Sequence, residues 1–140
     1  IPSCLRVYGR VSHKRSMELV GLADFSVFLR CPNRVSTNGF PTKFVESMAV
    51  GTPVLANITS DLGEHLRDGD TGIVCAAPNL DDMKRAINRV LRLDTEARLA
   101  MRKAARIEAV KSFSFEIHAP TLGRLIQEAR KRVSSMNTRI

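Results

Sequence analysis

Asn38-Gly39-Phe40-Pro41-Thr42-Lys43-Phe44-Val45-Glu46-Ser47-Met48-Ala49-Val50-Gly51-Thr52-Pro53-Val54 carries a loop, a helix and the entry to a strand in one run. Pro41 suits the last loop or first helical position, where its missing N–H costs nothing. From Thr42 onward, Phe44, Val45, Met48 and Ala49 recur at helical spacing, and Gly51 is a fitting C-terminal residue. Phe25 to Arg30 before the run and Pro53 to Asn57 at its end are apolar with little alternation, as strands covered on both faces should be. Strand, helix, strand in this order is a parallel unit, and in open parallel sheets the ligand crevice lies outside the carboxyl ends of the strands. The loop at 38–41 falls there. The free backbone N–H groups of Thr42 to Phe44 are expected to face that crevice with the positive end of the helix dipole, and Lys43 adds a formal charge, which makes an anion site. Glu46, one turn after Thr42 on the same face, offers a carboxylate able to accept two hydroxyl hydrogen bonds from a ribose. Phosphate and ribose together specify a nucleotide. The plainer alternative makes Thr42 and Lys43 ordinary first-turn residues and Glu46 half of a helix-surface pair.

The same two periods alternate on either side. Leu5 to Val11 is a short β-like run, and Ser12 to Ala23 has helical spacing behind a Ser that can cap. Ile73 to Cys75 reads as a further buried strand. Asp61 with Glu64 predicts a capping box for a short helix, and Asp68-Gly69-Asp70-Thr71-Gly72 a tight turn. From Asn79 the pattern is helical throughout. Asn79 caps a stripe of Leu80, Met83, Ile87, Val90 and Leu91, with Asp81 and Asp82 in the first turn. Thr95 is expected to cap a second helix with Ala97, Met101, Ala104 and Ala105. A last stripe contains Phe115, Ala119, Leu122, Ile126, Ala129 and Val133, and Pro120 within it predicts a kink or a fresh start.

Composition narrows the function classes. The 140 residues are 44% hydrophobic and 26% charged, with a mean hydropathy of −0.10, which places the chain among globular proteins. The longest apolar runs fall short of the roughly 18 residues of a membrane span. Three cysteines at 4, 31 and 75, without a CxxC pair, suggest neither a disulfide framework nor a zinc knuckle and fit a reducing cytoplasmic setting. The net charge of +8 is uneven: residues 84–140 hold 14 Lys and Arg against 5 Asp and Glu, and the first 83 hold 8 against 9. Interleaved with apolar stripes, these cations read as solvated helix faces; the sharper alternative is attraction to an anionic polymer or membrane surface. With one Tyr, six Phe and no Trp, aromatic platforms for nucleic-acid reading are scarce, so no specific nucleic acid is expected and an anionic membrane surface ranks above it.

The run "GFPTKFVESMAVGTPVLA", followed by "EHLRDGDTGIVC" from Glu64, resembles the C-terminal, donor-binding half of the group 1 (family four) retaining glycosyltransferases of two-Rossmann GT-B architecture. "VYGRV" from Val7 and "LADFSVFL" from Leu22 resemble the strands before that motif, and "FSF" from Phe113 the start of the family's last helix, so the resemblance covers most of residues 5–130. It implies a nucleotide-diphosphate sugar donor, transfer with retention of configuration, no metal and no further cofactor. Glu46 matches the family residue that holds the ribose hydroxyls, and Gly39, Phe40, Pro41 and Thr42, with Lys43 after them, match the loop that approaches the sugar and pyrophosphate. The family commonly has two glutamates with seven residues between them; the position matching the first is Asn38, which can exchange hydrogen bonds with a sugar hydroxyl but carries no charge. The family's catalytic His and acceptor site belong to an N-terminal domain, and its pyrophosphate clamp to the first strands of the C-terminal domain; neither is expected within these residues. His13, His65 and His118 match no motif, Asp68-Gly69-Asp70 reads as a turn rather than a DxD metal motif, and no metal site is expected.

The expectation is therefore an α/β chain with an incomplete Rossmann-like parallel sheet and flanking helices, part of a GT-B C-terminal domain and a piece of a longer protein. Residues 5–78 are its βα nucleotide-sugar-binding portion, 79–133 its C-terminal helices and 134–140 a tail expected to fray. Alone it is expected to be inactive in transfer and to associate with another chain, or bend the segment near Val7 elsewhere, where its sheet lacks neighbours. The expected location is cytoplasmic, with the membrane surface as a candidate partner. The rival classes are a non-enzymatic basic α/β module for anionic lipid or nucleic acid, and a sugar-nucleotide epimerase of the same architecture.

Overall fold

The computed structural model of the chain describes residues 2–137. Three short parallel strands, β1 (Ser26–Phe28), β2 (Val54–Ala56) and β3 (Gly72–Val74), form one sheet in the order β1-β2-β3. β2 lies in the centre with all three residues buried, and its side chains alternate between two cores. On one face Val54 and Ala56 pack with Phe44, Met48, Leu62, Leu66, Ala105 and Ala109. On the other Leu55 packs with Ile73, Cys75, Ala86 and Met101. Gly72 is required for this spacing, because a Cβ built there would lie 2.2 Å from the Val54 carbonyl oxygen of the adjacent strand.

Six helices surround the sheet among the described residues: α1 (His13–Leu22), α2 (Arg34–Asn38), α3 (Thr42–Ala49), α4 (Leu80–Leu91), α5 (Thr95–Phe113) and α6 (Phe115–Asn137), with a 3-10 turn at Ser60–Glu64. The α3 crossover between β1 and β2 agrees with the sequence reading, and Gly51 after it adopts φ 73°, the left-handed conformation expected of a helix end. Ser12 and Asn79 cap α1 and α4 as expected, accepting from the backbone N–H groups of Arg15 and Asp82. Among the described residues no helix is long and apolar enough to cross a membrane.

The structure corrects several local expectations. Leu5 to Val11 forms no strand. Its residues are exposed, and Gly9 at φ 65° breaks the extended run, so the segment pairs with neither edge of the sheet. Asp61 caps nothing: the 3-10 turn follows Thr59 without a side-chain cap. The cap of α5 is Asp94 rather than Thr95, accepting from Ala97 N at 2.8 Å. α2 was not expected; a capping box between Asn33 and Ser36 starts it. Pro120 lies inside α6, and the fresh start falls earlier, at Ser114, whose φ of −65° and ψ of 132° end α5. α6 continues to Asn137, and the remainder of the tail expected over 134–140 lies outside the described residues.

Much of the basic charge of the C-terminal third is used inside the fold. Arg102 donates to the carbonyls of Ala23 (2.7 Å) and Gly21 (2.9 Å) at the end of α1, and Arg106 donates to the Ala49 carbonyl at the end of α3. Cations at helix C-termini satisfy orphan carbonyls and complement the dipole. Arg89 grips Asp68 with two bonds of 2.9 and 2.8 Å, which ties α4 to the turn before β3.

Candidate functional site

The carboxyl end of β1 leads through Arg30 and α2 into the loop Gly39-Phe40-Pro41, and α3 begins at Thr42. Phe28, Arg30, Phe40, Pro41, Thr42 and Lys43 line a cavity of ≈ 350 Å³ at this junction. A second cavity of ≈ 200 Å³ adjoins it, sharing Phe28 and Lys43 and reaching Glu46, Ser26, Val27 and the Ser16 and Val20 side of α1. Two cavities therefore meet at the carboxyl end of β1, with Lys43 lining both.

Four of the expected residues, Phe40, Pro41, Thr42 and Lys43, meet on the first cavity, and Glu46 on the second. Of the backbone N–H groups expected to be free, that of Phe44 is bonded to Pro41 O at 3.0 Å, which leaves those of Thr42 and Lys43. Gly39 lines neither cavity; its carbonyl accepts from Arg30 Nη1 at 2.8 Å. Asn38 lines neither cavity: it is the exposed last residue of α2, and its amide donates to the Arg34 carbonyl at 2.8 Å. Among the described residues Glu46, Arg30 and Lys43 are in no ion pair, so the crevice presents two cations and one carboxylate without partners of opposite charge in the chain.

Sequence reasoning missed what holds this crevice in shape. Asn57, buried at the end of β2, clasps Arg30 through both backbone groups: its Oδ1 accepts from Arg30 N at 2.8 Å and its Nδ2 donates to Arg30 O at 2.9 Å. A polar residue ending an apolar strand on the ligand side of a parallel sheet was the available signal. Phe40 is held from behind. Its ring centroid lies 5.8 Å from that of His65 and 5.6 Å from that of Phe113, and His65 and Phe113 are 4.5 Å apart. His65 Nδ1 in turn lies 2.9 Å from Glu108 Oε1, and Ser112 Oγ donates to the same oxygen at 2.7 Å. Arg67 Nη1 donates to Glu108 Oε2 at 2.7 Å. Burial alone would raise the Glu108 pKa, but the hydrogen bonds from His65, Arg67 and Ser112, with the Arg67 charge, outweigh it and bring the carboxyl down to about 2.

His65 therefore belongs to a structural cluster, and His118 Nε2 lies 2.8 Å from the Ser112 carbonyl in a helix-end contact. Asp68 pairs with Arg89 and Asp70 with Arg67 at 2.7 Å, in keeping with a turn. No group of three potential metal ligands exists among the described residues.

The family model described as glycosyl transferases group 1 matches residues 3–108. The chain is 26% identical over 126 residues to a glycogen synthase of Mycobacterium tuberculosis, covering 90% of this chain and 29% of that protein. It is 35% identical over 72 residues to a D-inositol 3-phosphate glycosyltransferase of Mycobacterium marinum, covering 51% of this chain and 16% of that one. In fold it resembles sucrose-phosphate synthase from Thermosynechococcus elongatus (TM-score 0.69, 23% identity, 89% of this chain and 30% of that one). It also resembles Anabaena HepE, solved with UDP and glucose (TM-score 0.67, 19% identity, 79% of this chain and 29% of that one). The chain thus spans less than a third of the length of these proteins.

Proposed function

This chain belongs to the glycosyl transferases group 1 family, and from that premise we propose that it is the donor-binding part of a retaining glycosyltransferase that takes its sugar from a nucleotide diphosphate. The observation that carries the reading is the divided crevice at the end of β1, with Lys43 between a cavity walled by Phe40 to Thr42 and a cavity that contains Glu46. In this reading Glu46 accepts the two ribose hydroxyls, while Lys43 and the N–H groups of Thr42 and Lys43 face the diphosphate. Transfer breaks the bond between the anomeric carbon and the diphosphate oxygen, forms one to the acceptor oxygen and releases the acceptor's proton. Negative charge grows on the departing diphosphate, where a fixed cation and backbone donors stabilise the transition state more than the ground state. Asn38, bonded within its own helix, leaves the charge near the sugar to other residues of the whole enzyme.

That HepE was solved with UDP and glucose supports a nucleotide sugar as the ligand class. Calorimetric titration of UDP-glucose and GDP-mannose into the chain tests it: Glu46→Ala should weaken the binding seen by about 1.5–3 kcal/mol, as for hydrogen bonds to a charged group. Unchanged affinity removes the ribose assignment. Acceptor binding and the acid–base chemistry belong, in this proposal, to the rest of the enzyme, so the chain alone does not transfer sugar. The fold needs no metal or further cofactor in this reading, and the chain works in the cytoplasm. The edge of β1 pairs with strands of the rest of the protein or, failing that, with a second copy. Cations outside internal contacts, such as Lys84 and Lys111, associate with anionic lipid; sedimentation with vesicles of rising anionic content, at low and high salt, tests this.

A further inference from the structure

The crevice holds one charged side chain that the sequence motif does not contain. Arg30 leaves β1 on a rigid mount, since the amide of buried Asn57 fixes both its backbone N–H and its carbonyl. Its guanidinium uses Nη1 for two neutral acceptors, Gly39 O at 2.8 Å and Thr59 Oγ1 at 3.3 Å. Among the described residues Nη2 and Nε donate to nothing in the chain, and no carboxylate lies within 4.0 Å of the group. A half-buried guanidinium with idle donors and no counter-charge is an uncommon arrangement, because removal from water is offset only by an anion or by full hydrogen bonding. Arg30 lines the ≈ 350 Å³ cavity together with Lys43. Gly39 lets the loop pass close by: a Cβ there would press on Val35 O at 3.0 Å and come into ordinary contact with Arg30 Nη2 at 3.9 Å.

We infer that Arg30 is a phosphate-binding residue of this crevice, presenting the free edge of its planar fork to a diphosphate alongside Lys43. The inference rests on the nucleotide-sugar reading above. The fork matches a pair of phosphate oxygens, and Nη1 stays on Gly39 and Thr59, so the group meets its ligand without reorganisation. Arg30 then discriminates a nucleoside diphosphate from a nucleoside.

The test is calorimetry of the chain with UDP, GDP and ADP, followed by the tightest of these and its nucleoside against Arg30→Gln and Arg30→Lys. Arg30→Gln should weaken the diphosphate about tenfold to a hundredfold, the range for a charged hydrogen bond, leave the nucleoside unchanged and flatten the dependence on salt. Arg30→Lys, which keeps the charge and loses the fork, should fall between the two, and it carries the comparison if Arg30→Gln does not fold. Equal losses for diphosphate and nucleoside, or no loss for either, would overturn the inference and leave Arg30 as a tie between Gly39 and Thr59. The nucleotide reading survives that result. It falls, and the inference with it, if the unmodified chain binds none of the three diphosphates.

Discussion

Replacing Glu108 by Gln removes one charge and almost no volume from the centre of the cluster behind Phe40. In the folded chain the carboxyl titrates at about 2 against an ordinary value of 4.5, so the folded state binds the proton more weakly than the unfolded state. At 1.36 kcal/mol per unit this difference corresponds to roughly 3 kcal/mol of stability at neutral pH. Arg67 is half exposed and its attraction is partly screened, so about 2 kcal/mol is the expected cost of Glu108→Gln at pH 7. For a domain of this size that lowers the melting temperature by about 6–8 °C. Because the folded pKa is the lower one, the contribution is complete above the unfolded value near 4.5 and is lost as pH falls from there towards 2. Urea titrations at pH 7, 5, 4 and 3 should show the unmodified chain converging on the variant as pH falls. Parallel pH profiles, or equal stability at pH 7, would refute the assignment of Glu108 as a charged anchor. The variant should also weaken nucleotide binding, since His65 supports Phe40 only while Glu108 orients its ring.

Three further outcomes follow from the geometry. Gly72→Ala should cost 3 kcal/mol or more, read by urea midpoint, because its Cβ meets a backbone oxygen at 2.2 Å and overpacking against backbone exceeds the ~1–3 kcal/mol of side-chain overpacking; a midpoint near that of the unmodified chain would mean that the two strands separate freely. Asn57→Ala orphans an N–H and a carbonyl of Arg30 at about 1–3 kcal/mol each, and amide hydrogen exchange at Arg30 should accelerate accordingly. Incubated with UDP-glucose and an acceptor, the purified chain should release no UDP above background, and measurable transfer would relocate the catalytic groups to these residues.

The elements legible in the sequence were those with one dominant signal. Val54, Leu55 and Ala56 form an unbroken apolar run because both faces of β2 are covered, and Asn79 before Asp81 and Asp82 marks the start of α4 by capping and dipole together. α2 escaped notice because five residues with few apolar members have no period to detect; only the Asn33 and Ser36 pair marks it. Within the crevice, Phe40 to Lys43 were legible because they are contiguous. Arg30 and Asn57, 27 residues apart, become neighbours only through the parallel pairing of β1 and β2, and Glu108 reaches His65 across 43 residues through the packing of α5. Spacing in sequence does not encode either contact. Leu5 to Val11 shows the converse: its β-like pattern is real, but a strand exists only where a neighbour accepts its hydrogen bonds.

The arginine caps of α5 bear on the order in which the chain can fold as it leaves the ribosome. The last carbonyls of α1 await Arg102, made 79 and 81 residues later, and those of α3 await Arg106, 57 residues later. Ala105 and Ala109 complete the core that contains Phe44, Met48 and Val54, and Met101 completes the other. Until α5 emerges, α3 and α4 cover the two faces of the sheet only in part, and neither core is complete. At about 5–20 residues per second, that vulnerable interval lasts several seconds, within which chaperones compete with aggregation for the chain. A ribosome stalled just before Thr95 would therefore hold a polypeptide with all three strands synthesised and both cores still missing the residues of α5.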